Sequence, residues 1–447
     1  MTRRLRSLAS AALLALISLA APANAAGPEK RALPDYDGRG GEPKGAGDYA
    51  VVAVRVVFSP VYFVTEYLVR RPIGALVTGA ELSGLPGFLY DFFAFGPDHK
   101  AGIVPIAYVD LGFRANVGLY SFWNDAFVRG HDLRLRGTYA GSESASGSFA
   151  ERVHLSSDPY DLAVLEASAS RRPDYVFFGL GPRSVESART RYGADVLEGR
   201  VGLDERLWHS SSLRARVGLR TLDFRRGGLD GDPVLDDAIA SGTRAPPGYR
   251  TGHTIAYGSL VGALDTRRKD ATHGSGLRVE ADVMYSNDRR HEGDSWMSWG
   301  GAAGGFLDLN ERRRVVSLSA SAHFVDPIGE TTVPFTELAH LGGAGPMRAF
   351  YPGRLLDRSA VAAELAYRWP VWIWLDGSMR FEVGNVFGPQ ARDFDLRLLR
   401  FSGSIGVESV GSPDNSLQIL FGVGSETFDS GGKIDAIRFV VGTTHGF

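Results

Sequence analysis

The sequence contains no cysteine. That excludes a disulfide framework, a thiolate metal site, a cysteine nucleophile and a lipidated N-terminal cysteine, and leaves stability to packing and hydrogen bonding. Net charge is nearly absent as well: 49 Lys and Arg against 51 Asp and Glu give −2 over 447 residues, which argues against a nucleic-acid partner held on a wide basic surface. Past the N-terminal segment no run of about 18 or more apolar residues occurs, so helical membrane spans are excluded while strand-built spans are not. The histidines, His209, His253, His273, His291 and His340 among them, show no H-E-x-x-H or H-x-H spacing, and no G-x-S-x-G elbow is present. No metal, cofactor or catalytic residue is therefore expected, and the chain reads as a non-enzyme.

What is present begins with an export signal. Arg3, Arg4 and Arg6 precede an apolar run from Leu8 to Ala20 and a small-residue site at Ala23-Asn24-Ala25, so residues 1–25 read as a signal peptide rather than an anchor. Residues 26–100 form a second unit. A Gly-, Pro- and charge-rich linker runs to about Asp48. An apolar periplasmic segment follows, in which a short helix is predicted from Pro60 to just before Pro72. That helix is read as packing against the periplasmic rim of a barrel, with the barrel mouth, the membrane interface and a partner protein as alternatives.

From residue 101 to 447 the dominant signal is period-two alternation. Leu277, Val279, Ala281, Val283 and Tyr285 interleave with Arg278, Glu280, Asp282 and Met284. Leu213, Ala215, Val217 and Leu219 interleave with Arg214, Arg216, Gly218 and Arg220, and Leu365, Tyr367 and Trp369 with Glu364, Ala366 and Arg368. A β-sandwich also alternates, but these runs reach the roughly 9 to 11 residues of a tilted membrane strand. The pattern predicts strands over 102–112, 115–123, 130–141, 146–155, 160–171, 186–206, 211–225 and 253–266. It continues over 275–288, 294–309, 312–325, 359–371, 375–388, 399–409, 416–425 and 436–447. Sixteen is an even number, as single-chain bacterial barrels require. With the N-terminus periplasmic, the long connections 172–185, 226–252, 326–358 and 389–398 all fall outside, and turns such as 207–210, 310–311 and 410–415 are short. The fold class is thus an all-β, 16-stranded antiparallel transmembrane barrel with a short N-terminal periplasmic segment. Its expected place is the outer membrane of a Gram-negative cell, in contact with outer-membrane lipid. Phe447, with Gly442 and His445 before it on the last strand, is similar to the sorting signal read by the outer-membrane assembly machinery, the expected partner during insertion.

Four local motifs carry a more specific likeness. Asp265-Thr266-Arg267 is followed by Gly274 and Gly276; Leu341-Gly342-Gly343 by Met347-Arg348-Ala349-Phe350; Glu364, Arg368 and Pro370 share one strand; and Glu382-Val383-Gly384-Asn385 lies on the next. From about residue 253 to 447, and faintly back to about 100, the chain resembles the bacterial surface antigen family, the barrel shared by BamA and TamA. The resemblance implies that loop 326–358 folds into the barrel and that Arg348 at its tip pairs with a lumen carboxylate, Glu382 first and Glu364 second. It implies a periplasmic turn at Asp265-Thr266-Arg267. Three positions depart from the family pattern: Ala349 where Gly is usual at the tip, Glu382 where Asp is usual, and Arg380 where an aromatic is common. There is also little room for the periplasmic POTRA domains that bind client strands.

The functional expectation is outer-membrane biogenesis, the insertion or translocation of protein or lipid, with client proteins unidentified. A weakly paired seam between the first and last strands would speak for it. A passive channel is the alternative, and a barrel-borne enzyme ranks below both. Two charged groups are read as bland: the carboxylates from Asp230 to Asp237 as a solvated loop rather than a calcium site, and the lumen arginines Arg134, Arg136, Arg214, Arg216 and Arg220 as balanced by Glu198, Asp204, Glu280 and Asp282.

Overall fold

The computed structural model describes Val56, residues 65–82 and residues 91–443, apart from 230, 269–273, 292, 310–312, 373–374 and 411–416. The expected signal peptide and linker, with His445 and Phe447, lie outside the described residues.

Sixteen antiparallel strands form one closed sheet. In chain order they are β1 (Ala101–Asp110), β2 (Asn116–Trp123), β3 (His131–Tyr139), β4 (Ala145–His154), β5 (Leu162–Phe177), β6 (Thr190–Arg206), β7 (Ser212–Arg225) and β8 (His253–Asp265). The second half comprises β9 (Gly276–Asp288), β10 (Ser295–Asp308), β11 (Val315–Pro327), β12 (Ser359–Trp372), β13 (Leu375–Phe387), β14 (Arg400–Ser409), β15 (Leu417–Ser425) and β16 (Ile434–Thr443). Each strand pairs with its sequence neighbour, and β16 pairs back onto β1. All sixteen coincide with the strands read from alternation. The largest boundary difference is β5, which runs on to Phe177 past a bulge between Arg172 and Tyr175; Pro173 inside that bulge has no N–H to give to a ladder. Among the described residues no helix is long and apolar enough to cross a membrane.

The two faces separate as a barrel wall requires. Leu197, Val201, Leu203, Val217, Leu219, Leu264, Leu277 and Val279 stand exposed on the outside. Inside, opposite charges meet: Arg216 and Asp204 at 2.8 Å, Arg278 and Glu280 at 2.5 Å, and Arg220 with Glu337. The end of the lumen that carries the long loops is filled by an aromatic cluster in which Phe335, from loop 328–358, contacts Phe177 and Tyr192 at 5.3 Å and Phe224 at 5.6 Å between ring centroids.

The predicted N-terminal helix differs from expectation. Residues 60–64 lie outside the described region, and the helix does not stop before Pro72: a π-helical turn, Thr65–Arg70, leads directly into α1, Arg71–Leu82. Pro72 is tolerated because it stands in the first turn of α1, where its missing N–H has little to bond.

Candidate functional site at the strand seam and infolded loop

Among the described residues, the ladder that closes the barrel is the shortest in it. Among the described residues β16 and β1 share three register pairs, Val440 with Asp110, Val441 with Val109 and Gly442 with Tyr108. Other barrel ladders have from seven pairs, as between β14 and β15, to fourteen, as between β6 and β7. At the start of β1, Ala101 and Gly102 pair instead with a two-residue strand, Ala94–Phe95. Since the other edge of β1 is taken by Trp123 and Phe122 of β2, that short strand occupies the seam edge. Pro105 in mid-β1 has no N–H to donate, a residue that sheets tolerate mainly on edge strands.

Over this seam lies the tip of the loop between β11 and β12. A small hairpin, Ala339–Leu341 with Leu355–Asp357, brings the loop inward. Gly342 (φ 103) and Gly343 (φ 73) then turn the backbone. A Cβ on Gly342 would lie 2.6 Å from the Tyr351 carbonyl oxygen, so both the dihedral and the close approach call for glycine. Met347, Ala349 and Phe350 are buried. The tip packs against β15, where a Cβ on Gly424 would stand 2.6 Å from the Phe350 ring.

Glu382 of β13 is fully buried beneath this tip and accepts three hydrogen bonds: from Met347 N at 2.6 Å, from Arg348 N at 2.9 Å and from Ser402 Oγ at 2.7 Å. Ser402 Oγ also accepts from Ala349 N at 3.2 Å. The expected ion pair between the Arg348 guanidinium and Glu382 is therefore corrected: Glu382 is met by backbone amides. The cause is local. Met347, not the following Ala349, takes the positive φ of 65°, which aims two successive N–H groups at the carboxylate and sends the Arg348 side chain elsewhere. Arg348 stands 3.9 Å from Glu408. Burial, together with the nearby Arg380 charge, brings Arg348 down to about 10, so it is still a cation at neutral pH. Glu364 faces Arg380 at 3.3 Å, and Arg368 faces Glu408 at 3.0 Å.

Two residues outside the expected set join the seam to the loop. Arg438, on the lumen face of β16, donates from Nη2 to Asp110 of β1 at 2.8 Å. Its Nη1 donates to the carbonyl oxygens of Gly343 at 2.6 Å, Arg348 at 2.9 Å and Phe350 at 3.3 Å. Both charged side chains are buried, 5% and 3% exposed. One guanidinium thus holds first strand, last strand and loop tip together. The sequence carries a trace of this: Arg438 is a lone lumen charge between Ala436 and Val440. Its partner lies 328 residues away and no local pattern points to it.

The turn at Asp265-Thr266-Arg267 satisfies itself. Asp265 is buried and accepts from the Arg267 backbone N at 3.0 Å and Nη2 at 2.6 Å, while Thr266 Oγ1 accepts from Leu277 N at 2.9 Å. In the loop between β7 and β8, Asp232 faces Arg191 at 2.7 Å, Asp236 faces Arg250 at 2.6 Å and Asp237 faces Arg226 at 2.7 Å, so each of these carboxylates already has an arginine. Asp230 lies outside the described residues.

No family model matches this sequence, and no curated protein does either. Solved structures match in fold. BamA from Haemophilus ducreyi, in a form lacking POTRA domains 1–3, aligns with a TM-score of 0.51 at 15% identity over 77% of this chain and 70% of that one. CdiB from Escherichia coli aligns at 0.49 and 15% identity over 78% of this chain and 64% of that one. OccK10 of Pseudomonas aeruginosa aligns at 0.30 and 12% identity, over 76% and 96%. The BamA likeness establishes a shared 16-stranded barrel fold; the two lower scores carry no argument.

Proposed function

We propose that this chain is a bacterial outer-membrane barrel that acts in envelope biogenesis, helping protein or lipid to insert into or cross the outer membrane, and that its working part is the β1–β16 seam. The observation that carries this reading is the short ladder, three register pairs among the described residues, backed by a side-chain latch. An edge with few backbone bonds is available to pair with an added strand. The bond from Arg438 to Asp110 and the loop carbonyls supplies the closure that the ladder lacks. The short strand Ala94–Phe95 on the same edge supports the reading, since it occupies a place that an incoming strand would take.

A passive channel fits less well, because the infolded loop and the aromatic cluster around Phe335 both occupy the lumen. Steady conductance of the purified protein in a planar bilayer would restore that alternative.

The test begins with deletion of the gene in its own host and quantification of outer-membrane proteins and lipids. A selective loss of particular components, restored by the wild-type chain, is the expected result. The chain has no cysteine, so Val109→Cys with Val441→Cys places a disulfide across the seam without competition. The double variant is expected to restore the envelope when reduced and to fail when oxidised. An envelope unchanged by the deletion, or a locked barrel that works as well as the free one, would overturn the proposal.

A further inference from the structure

The N-terminal helix lies on the outside of the barrel. In β12 the even-numbered residues Glu364, Ala366 and Arg368 face the lumen, so Tyr367 and Trp369 face outward. They are nevertheless 2% and 0% exposed, whereas Leu365 on the same face is 37% exposed and its register partner Leu318 is 65% exposed. Part of the cover comes from wall neighbours such as Leu309, Leu375 and Val407, and part from residues 65–82, which pack on this strand. Arg314, at the periplasmic start of β11, donates to the Tyr367 hydroxyl at 2.8 Å and to Glu66 at 3.2 Å. Glu66 also accepts twice from Arg70, at 2.9 and 3.0 Å. A Cβ on Gly74 would stand 3.5 Å from the Trp372 ring. Arg71, 63% exposed, reaches the same carboxylate only at 4.0 Å. A buried carboxylate with this many arginines around it must be well hydrogen-bonded to persist, so this is a defined dock.

The other face of the helix is exposed. Tyr67, Arg71, Ala75, Thr78 and Leu82 are exposed, at intervals of four, four, three and four residues, and so form one stripe. Leu82 is 84% exposed. Arg71 lies over the Tyr67 ring at 4.2 Å. The stripe contains an aromatic, a cation and an aliphatic end, and no carboxylate. Its level follows from the wall beside it. Trp369 lies four residues below Leu365, about 10 Å toward the periplasm for a tilted strand. Outward Tyr and Trp at that end of a barrel mark the lipid headgroup layer. The helix covers them and continues the lipid-facing surface.

We propose that Thr65–Leu82 is an in-plane membrane helix, docked to the outer barrel wall through Glu66 and Arg314. Its stripe from Tyr67 to Leu82 is embedded in the phospholipid headgroup layer of the periplasmic leaflet, with Arg71 against lipid phosphate. This rests on the barrel spanning a membrane and is independent of what the barrel transports.

Single cysteines are introduced into the full chain at Ala75 and Leu82, and at Ala363 on the same outward face of β12. Each protein is labelled with an environment-sensitive fluorophore and inserted into vesicles of phosphatidylethanolamine and phosphatidylglycerol. Spin-labelled lipids then quench from near the headgroup or from deep in the acyl chain. An amphipathic helix buried about 5–10 Å into the interface should be quenched by shallow lipid at least about twofold more than by deep lipid at Ala75→Cys and Leu82→Cys. Ala363→Cys, higher on the wall, should show the reverse and fixes that the barrel is inserted. Labels on the helix that are open to aqueous iodide and unaffected by either lipid would overturn the proposal. Labels shielded from both iodide and lipid would overturn it too, because a protein surface would then cover the stripe.

Discussion

Two walls of this barrel close by different means. The far wall, around β5 to β8, is held by backbone: β5 with β6 and β6 with β7 each share fourteen register pairs. Charged pairs there, such as Arg200 with Glu166, decorate a ladder that is already complete. Among the described residues the seam wall has three register pairs, and it is reinforced by Arg438, Asp110, Glu382 and the loop tip. A backbone ladder is indifferent to residue identity and opens only as a unit. A side-chain latch concentrates closure in a few groups that one event can release. The comparison therefore predicts that conservative changes on the far wall are tolerated, and that equally small changes at the seam are not.

The largest effect should come from Arg438→Ala. It leaves the buried carboxylate of Asp110 without its cation and three loop carbonyls without their donor, and breaking such a buried pair from one side costs about 3–5 kcal/mol. The matched change Arg200→Ala removes a guanidinium that is 39% exposed, where an ion pair contributes about 1 kcal/mol or less. Thermal unfolding of both variants in detergent, followed by the heat-dependent gel shift of barrels, measures the contrast. Equal losses would show that the seam latch is ordinary.

Glu382→Ala ranks next. It strands the N–H groups of Met347 and Arg348 and the hydroxyl of Ser402, at about 1–3 kcal/mol for a buried group left unpaired. Part of that is recovered if the tip lifts and water reaches it. The expected signature is a loop newly open to external protease on a barrel that still resists heat. Glu382→Gln, which keeps an acceptor oxygen, should cost less. Arg348→Ala should do less to the loop than either, since its guanidinium does not hold Glu382.

These contrasts separate what the sequence discloses from what it does not. The sixteen strands are legible because a wall between lipid and lumen imposes alternation on every residue, and alternation survives any choice of ligand or client. The loop glycines are legible because Gly342 and Gly343 answer a backbone constraint. The partner of Glu382 is not legible as an amide, because backbone donors leave no mark in residue identity; only the guanidinium of Arg348 is visible to a reader of side chains, and it points to Glu408. Arg438 and Asp110 meet through barrel closure, at a sequence distance that no periodicity spans. The helix past Pro72 escapes for a similar reason: proline reads as a helix end by local rules, while the pairing of Glu66 with Arg314 that docks this segment spans 248 residues.

The smallest difference, and the sharpest for the two-wall comparison, comes from paired glycines. Gly424→Val in β15 drives methyl groups into the Phe350 ring, where even a Cβ would stand 2.6 Å away. Overpacking of this kind costs about 1–3 kcal/mol, and the loop tip, as the less anchored partner, should be what moves. Gly199→Val in β6 meets nothing within 4 Å. There the β-branched side chain suits a strand better than glycine, and the change should be neutral or stabilising by a few tenths of a kcal/mol. Midpoints of unfolding for the two variants, with protease access to the loop as the second readout, test this directly. If Gly424→Val leaves the loop protected, the tip is held by more than its contacts with β15. The carboxylate of Glu382 and the guanidinium of Arg438 would then be enough to keep the seam closed without close packing beneath the tip.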